Sequence, residues 1–309
     1  MWDFDFLAAI RSIEKSMAYV LYRMLLCVGA ALGYLLATLA GAGTLVGFGS
    51  LAKNASSLGP FGAVVGFALF AALMFHIRPL WLNAVKIPQL ALLVDQFKRK
   101  SLPTGKALVD YAKERQWAAY PSTAKMYELD EAIREVQSDM VTLMSCPKIE
   151  AQNSTIREVL IRLIQALSRQ NHQTLLAWHF QRQQENPWRS AAEGLAVHQA
   201  HFFTMTKNRA MVTLFAWLGF LAAYPLVLGG IEILIDGIPM KMSFWPEVFA
   251  GVFAWAIKAA FFDAIAEAAM IDVFFPLAER DADQTSGELL KQHSAAYRAM
   301  DIKAHNSLG

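Results

Sequence analysis

Four long stretches of apolar residues constrain this chain more than any other feature of its sequence. An α-helix needs about 20 mainly apolar residues to cross the ~30 Å hydrocarbon core of a bilayer. The four stretches exceed that length and cover residues 24–51, 60–81, 210–235 and 244–275. They predict four transmembrane helices. Because strand-like alternation is missing from the sequence, we expect an all-α, polytopic membrane protein.

The composition favours the same fold class and excludes several others. Hydrophobic residues make up 55% of the chain and charged residues 17%, whereas a soluble domain carries roughly 25% charged residues. The net charge of +2 lacks the basic excess of a nucleic-acid-binding protein, so no nucleic-acid partner is expected. Two cysteines, Cys27 and Cys146, are too few for a disulfide scaffold or a cysteine-rich zinc module.

The distribution of Lys and Arg predicts which side of the membrane each segment faces. Eighteen of the 28 basic residues lie between residues 76 and 209, whereas Lys53 and Lys241 are the only ones in the two short loops. The positive-inside rule therefore places both termini and the central segment in the cytoplasm, for a protein we expect in a bacterial inner membrane. The predicted segments are an interfacial N-terminal helix (1–23), spans 1 and 2 (24–81), a cytoplasmic helical domain (82–209), spans 3 and 4 (210–275) and a cytoplasmic tail (276–309).

The central segment contains one strongly amphipathic helix. A capping-box pattern, Thr155 with Glu158, opens it. Its apolar face, here named the 156–167 stripe, consists of Ile156, Leu160, Leu163 and Leu167. This stripe must pack against another surface. The sequence leaves open whether that surface is a second helix of a cytoplasmic bundle or a neighbouring subunit in a coiled coil.

Sequence signatures of enzymes and of metal sites are missing. The chain has no H-E-x-x-H, G-x-S-x-G or Walker A motif. His198 and His201 stand three residues apart, but no acidic residue or cysteine lies at ligand spacing from them. We therefore expect no enzymatic activity, no cofactor and no metal site.

Charged residues inside the fourth apolar stretch are the strongest functional signal. A charged side chain at the bilayer centre costs at least ~2.5 kcal/mol, so it normally faces protein, water or a partner. At 100° per residue, Asp263 and Glu267 lie within about 40° of each other, and Lys258 and Asp272 share a different face. His76 and Arg78 end the second stretch on its cytoplasmic side. The candidate pathway residues are Lys258, Asp263, Glu267, Asp272, His76 and Arg78.

The same charges also fit a structural interpretation. If the fourth span begins near residue 244, about 20 residues bring it to Asp263, and Glu267 and Asp272 already lie at the headgroups. Lys258 and Asp263 would then form a compensated pair inside the membrane. The sequence does not decide between transport and structural charge pairing.

Glycines predict close packing of the first two spans. Three small-xxx-small pairs let helix backbones approach closely within a membrane. These pairs are Gly29 with Gly33, Gly43 with Gly47, and Gly62 with Gly66. The contact could form within one subunit or between subunits, and a kinkable, glycine-lined pore helix is the functional alternative.

Two short segments carry a family resemblance. The sequence Asn186-Pro187-Trp188-Arg189-Ser190-Ala191 resembles the segment before a late membrane helix in choline-transporter-like proteins. The run Ile271-Asp272-Val273-Phe274-Phe275, with Glu279 and Asp281, is similar to the end of their last span. The resemblance covers about a third of the chain, which has far fewer spans and lacks the large extracellular loop of that family. It implies transmembrane passage of a small or amphiphilic solute and a role for Asp272.

Two functions are consistent with these features. Four spans can scarcely enclose a path alone, so the first is a homo-oligomeric channel or transporter for a small solute or ion, surrounded by membrane lipids. In that scheme Lys258, Asp263 and Glu267 bias the pathway electrostatically. The second is a non-transporting scaffold or assembly factor whose cytoplasmic helices recruit a protein partner. Fold-level analogy alone cannot choose between them.

Overall fold

The chain forms two compact units. A computed structural model describes residues 2–51, 55–145, 154–183, 186–235 and 244–306. Unit 1 comprises Met1–Val20, Asn83–Ala216 and Asp263–Gly309, and unit 2 comprises Leu21–Leu82 and Trp217–Phe262. Cys146, Lys53 and Lys241 lie outside the described residues.

Every regular element among the described residues is helical, which confirms the predicted all-α fold class. Two π-helical segments, Leu82–Lys86 and Lys258–Phe262, interrupt the α-helices. The α-helices in chain order are α1 (Phe6–Lys15), α2 (Met17–Leu51), α3 (Ala55–His76), α4 (Arg78–Trp81), α5 (Ile87–Phe97), α6 (Lys106–Ala119), α7 (Thr123–Ser145), α8 (Ser154–Arg169), α9 (His172–Arg182), α10 (Pro187–Ala200), α11 (Phe202–Ile235), α12 (Trp245–Ile257), α13 (Asp263–Asp281), α14 (Glu288–His293) and α15 (Ala295–His305).

Four helical stretches are long and apolar enough to cross a membrane, as the sequence predicts. They cover Met17–Gly49, Leu58–His76, Phe202–Ile235 and Trp245–Asp281. The first and third begin before the predicted residues 24 and 210. No proline or glycine lies in the segments just upstream of those two positions, so nothing ends the helix there.

Close backbone contact joins α2 and α3 within unit 2. A Cβ added at Gly62 would overlap the carbonyl oxygen of Gly41, and a Cβ at Gly66 would overlap the carbonyl oxygen of Ala37. A Cβ at Gly33 would overlap the ring of Phe70. Because only hydrogen fits at these points, the small residues set the distance between the two helices.

The remaining predicted packing glycines have different surroundings. A Cβ added at Gly29, Gly43 or Gly47 would meet no heavy atom within 4 Å in the described residues. The glycines of the small-xxx-small pairs in α2 therefore lie on more than one side of that helix. Gly41, which belongs to none of the predicted pairs, makes the contact with Gly62.

The π-helical segment Lys258–Phe262 changes the helical phase between α12 and α13. A π-helix fits an additional residue into its turn, so a uniform 100° step does not hold across it. The prediction that Lys258 and Asp272 share a helix face assumed a uniform 100° per residue. Because the π-helical segment lies between them, that assumption does not hold in the structure. Asp263 and Glu267 both lie in α13, where their spacing of four residues keeps them on one side.

Unit 1 has its own core of packed helices and aromatic rings. The Trp178 ring of α9 lies 5.4 Å from Phe275 and 5.9 Å from Phe274, both of α13. Phe97 of α5 contacts Phe275 at 5.2 Å. Burying each of these side chains contributes roughly 1.5–3 kcal/mol, so the cluster fixes α5 and α9 against α13.

The N-terminal helix α1 belongs to this core. Its N-cap is Asp5, whose carboxylate accepts hydrogen bonds from the backbone N–H groups of Leu7 and Ala8. Ala9 and Ile13 are buried, and α1 packs along α13. The predicted segment 1–23 therefore contains a separate helix that ends at Lys15, followed by the start of α2.

Candidate functional site

Glu267, a predicted pathway residue, forms a buried ion pair with Arg209. The two side chains project from α13 and α11, within unit 1. Arg209 Nη1 lies 2.9 Å from Glu267 Oε1, and Nη2 lies 3.3 Å from Oε2. Only 2% of the arginine side chain and 8% of the glutamate side chain are exposed. This bidentate geometry is the strongest form of a protein ion pair.

Further hydrogen bonds extend this pair into a network. It connects α7, α10, α11 and α13 with the N-terminal end of α9. Arg209 Nε donates to Asn171 Oδ1 at 2.7 Å, and Arg209 Nη2 also donates to Thr174 Oγ1 at 3.3 Å. Asn171 Nδ2 donates to His198 Nε2 at 3.1 Å. His198 Nδ1 in turn donates to the Met140 sulfur at 3.2 Å. We name these residues, with Glu267, the Arg209 network.

The protonation states in the Arg209 network follow from its geometry. Burial, and secondarily the charge of Arg209, lowers the pKa of His198 to about 3. His198 is therefore neutral, with its single proton on Nδ1 and an acceptor lone pair on Nε2. The one cation and one anion of the network, Arg209 and Glu267, face each other and compensate their charges.

A second buried histidine is also held by protein groups. Arg134 Nε donates to Asp130 Oδ2 at 2.9 Å, and Arg134 Nη2 donates to His172 Nε2 at 2.7 Å. His172 Nδ1 donates to the carbonyl oxygen of Arg169 at 2.8 Å. Burial lowers the pKa of His172 well below its usual range, which agrees with an unprotonated Nε2.

Two further histidines of unit 1 have hydrogen-bond partners within the protein. His201 Nε2 lies 2.7 Å from Asp281 Oδ2, and His179 Nδ1 lies 3.1 Å from Ser190 Oγ. Across the part of the chain that the structure describes, no three His, Cys, Asp or Glu side chains come close enough to hold a metal ion. Each of these ring nitrogens has a protein hydrogen-bond partner.

Lys258 lies in unit 2 beside two tryptophans. Its side chain is buried, and Nζ lies 5.0 Å from the centre of the Trp255 ring and 5.4 Å from that of Trp217. The negative faces of the two indoles attract the ammonium group, by roughly 0.5–2 kcal/mol for each such contact. The aromatic rings thus replace part of the water shell that this charge would otherwise need.

The six predicted pathway residues are divided between the two units. Asp263, Glu267 and Asp272 belong to unit 1, where the two aspartates are half-buried. His76 and Arg78 belong to unit 2 with Lys258, and both are exposed. The structure brings Glu267 together with Arg209, which the sequence analysis did not single out.

Arg209 had a recognisable signal in the sequence. It stands directly before the third apolar stretch, and Glu267 lies near the end of the fourth. The two stretches run in opposite directions through the predicted membrane, so these residues fall near the same predicted level and carry opposite charges. The sequence carries no comparable signal for Asn171 and Thr174, because their contacts with Arg209 depend on the tertiary packing of α9 against α11.

The residues of the family resemblance have local structural roles. Asn186 caps α10 by accepting a hydrogen bond from the Trp188 N–H at 3.0 Å, and Pro187 occupies the first helical position. Asn186 Nδ2 donates to the carbonyl oxygen of Lys303 at 2.9 Å. Phe274 and Phe275 belong to the aromatic core of unit 1. These contacts account for the local structure of the motif.

Comparison with known protein families, with curated proteins and with solved structures finds no match. The resemblance to choline-transporter-like proteins therefore stays a prediction.

Proposed function

We propose that this chain is a non-transporting membrane scaffold. In this proposal unit 2 anchors the protein in a bacterial inner membrane, and unit 1 is a cytoplasmic helical platform that assembles with a second copy of the chain. Both termini face the cytoplasm. The observation that carries the proposal is the buried, charge-compensated pair of Arg209 and Glu267.

The ion pair supports a structural role for Glu267. A permeating solute could use this carboxylate only if the bidentate contact with Arg209 opened. Removing one partner of a buried pair costs roughly 3–5 kcal/mol, because it leaves a charge without compensation. A site that must bind and release solute rapidly is poorly served by such a contact.

The surface of unit 2 supports anchoring among membrane lipids. Large apolar side chains point outward along its helices, including Leu25, Leu69 and Leu226, which is 78% exposed. In water, contiguous apolar surface of this kind is costly, whereas lipid tails accommodate it.

The 156–167 stripe supports assembly through unit 1. Ile156 and Leu163 of α8 are 55% and 54% exposed, so the described residues leave this face open. Its apolar residues are four, three and four positions apart, the spacing of a helix-to-helix seam, and the charged residues between them in the sequence fall on other faces of the helix. A seam without charges is complementary to itself, which fits a two-fold contact between identical helices.

The mass of the detergent-extracted protein tests the proposed assembly. The Leu163→Asp variant places like charges opposite each other across a two-fold seam. The dissociation constant of the oligomer should therefore increase at least about tenfold. The matched control is Arg162→Asp, the same new residue at the neighbouring, exposed position. We expect light scattering to give oligomers for the wild type and the control but monomers for Leu163→Asp. An unchanged mass for Leu163→Asp would show that the stripe does not join the copies.

A further inference from the structure

Unit 2 contains a cavity that is open to the surface and whose described lining residues are all apolar. Its volume is about 570 Å³, and α2, α11 and α12 supply its walls. The α2 wall runs from Met24 through Leu32 to Leu39, and Phe249 and Phe253 of α12 lie across from it. Among the residues that the structure describes, none that lines the cavity carries a polar side chain.

The length of the α2 wall suits an extended ligand. From Met24 to Leu39 the α2 wall rises about 22 Å at 1.5 Å per residue. This exceeds the ~15 Å of hydrocarbon in one leaflet. The volume falls within the range of roughly 300–1,000 Å³ that is typical of ligand cavities.

The lining determines the chemistry of the occupant. A polar solute needs a few placed hydrogen-bonding groups to fix it, and here the helical backbone is bonded within α2 and α12. Hydrocarbon is the ligand class that makes favourable contacts along the whole length of such a wall.

A second transmembrane helix fits this cavity poorly. A helix with its side chains is about 10–12 Å across. Helices also pack in membranes through small residues, as α2 and α3 do at Gly41 and Gly62. The walls here consist mainly of leucine, isoleucine, valine and phenylalanine.

We propose that this cavity binds one acyl chain of a membrane lipid. The inference rests on the proposed membrane anchoring of unit 2, but it is independent of the scaffold assembly through α8. The bound chain would fill the space between α2, α11 and α12 and hold these three helices at their observed separation.

Two neighbouring glycines provide a matched test. Gly230 lines the cavity, and a Cβ added there would meet no heavy atom within 4 Å. A Gly230→Leu side chain can therefore enter the cavity without displacing backbone. Gly229 has equally open surroundings but does not line the cavity, so Gly229→Leu repeats the substitution beside it.

Native mass spectrometry measures the occupancy. Wild type, Gly229→Leu and Gly230→Leu are delipidated in detergent and titrated with palmitoyl-oleoyl phosphatidylglycerol. We expect one retained lipid in the wild type and in Gly229→Leu, and about tenfold weaker binding in Gly230→Leu. Equal binding by all three proteins would overturn the proposal, because it would indicate general surface lipid.

A measurement on the wild type alone keeps the proposal testable if Gly230→Leu does not fold. A diazirine-bearing acyl chain of the same phospholipid is crosslinked in nanodiscs, and the adducts are mapped. We expect adducts at Leu32 and Phe253 to exceed those at the outward-facing Leu69. An even distribution contradicts the proposal. Recovery of the wild type in the aqueous fraction of lysed cells would instead contradict the membrane anchoring.

Discussion

At the scale of single residues, Arg209 joins several buried polar groups of unit 1. Its guanidinium donates to Glu267, Asn171 and Thr174. A planar group with several fixed donors can join three elements in one plane, which a lysine ammonium cannot do with the same directionality. The charge of Glu267 was evident from the sequence, and the position of Arg209 before the third apolar stretch was a signal for its partner, but the contact itself joins residues 58 positions apart and required the fold.

Neutralising Glu267 should therefore destabilise the protein. The Glu267→Gln variant leaves the Arg209 charge buried without compensation, at a cost of roughly 3–5 kcal/mol. Thermal unfolding in detergent, followed by circular dichroism, measures this as a lowered melting temperature. The control is Glu158→Gln in the exposed pair with Arg162, which should cost under about 1 kcal/mol. If the two variants melted alike, the Arg209 network would not have the stabilising role that we assign to it.

His198 gives the stability of unit 1 a defined pH dependence. Its pKa is about 3 in the fold, below the usual value of about 6.5 in an unfolded chain. Between these values the unfolded state binds a proton that the folded state excludes. Stability should therefore fall as the pH drops below about 6.5, by about 1.4 kcal/mol per pH unit for this histidine.

The His198→Gln variant isolates that contribution. Glutamine can still accept a hydrogen bond from Asn171 but does not titrate. We expect melting temperature plotted against pH between 6.5 and 4 to be less steep for the variant than for the wild type. Superimposable pH profiles would mean that His198 is protonated in the fold.

At the scale of helices, the contact between α2 and α3 shows how far a spacing motif can be used. The motif identified Gly62 and Gly66, which do lie against the α2 backbone. It also identified Gly43, where a Cβ would meet nothing within 4 Å. Sequence spacing defines a helix face, but which face meets a neighbour depends on helix rotation.

The π-helical segment Lys258–Phe262 also had no signal in the sequence, because tertiary packing determines where a helix takes up an additional residue.

Glycine replacements should separate the contact face from the open face. Gly62→Leu forces a side chain against the α2 backbone and should destabilise unit 2 by at least about 1–3 kcal/mol, the usual cost of overpacking. Gly43→Leu adds the same side chain in open space and should be tolerated. Melting temperature and the monodisperse fraction on gel filtration measure both effects. Comparable losses in the two variants would refute the assigned contact.

At the scale of the whole molecule, the fold class was predictable and the role of the charges was not. Four apolar stretches and the lack of strand alternation were sufficient for an all-helical chain with four helices able to cross a membrane. The function depends on whether charged groups line a path or compensate each other. That distinction requires the positions of residues distant in sequence, such as Arg209 relative to Glu267.

Solute flux through reconstituted protein tests the central proposal most directly. Wild type and the Asp263→Asn, Glu267→Gln double variant are placed in liposomes of phosphatidylethanolamine and phosphatidylglycerol loaded with potassium chloride or choline. We predict that the wild type releases potassium, chloride and choline no faster than protein-free liposomes do. Wild-type flux above that background would contradict the scaffold proposal, and its loss in a double variant that keeps the wild-type circular dichroism spectrum would assign these carboxylates to a conduction pathway.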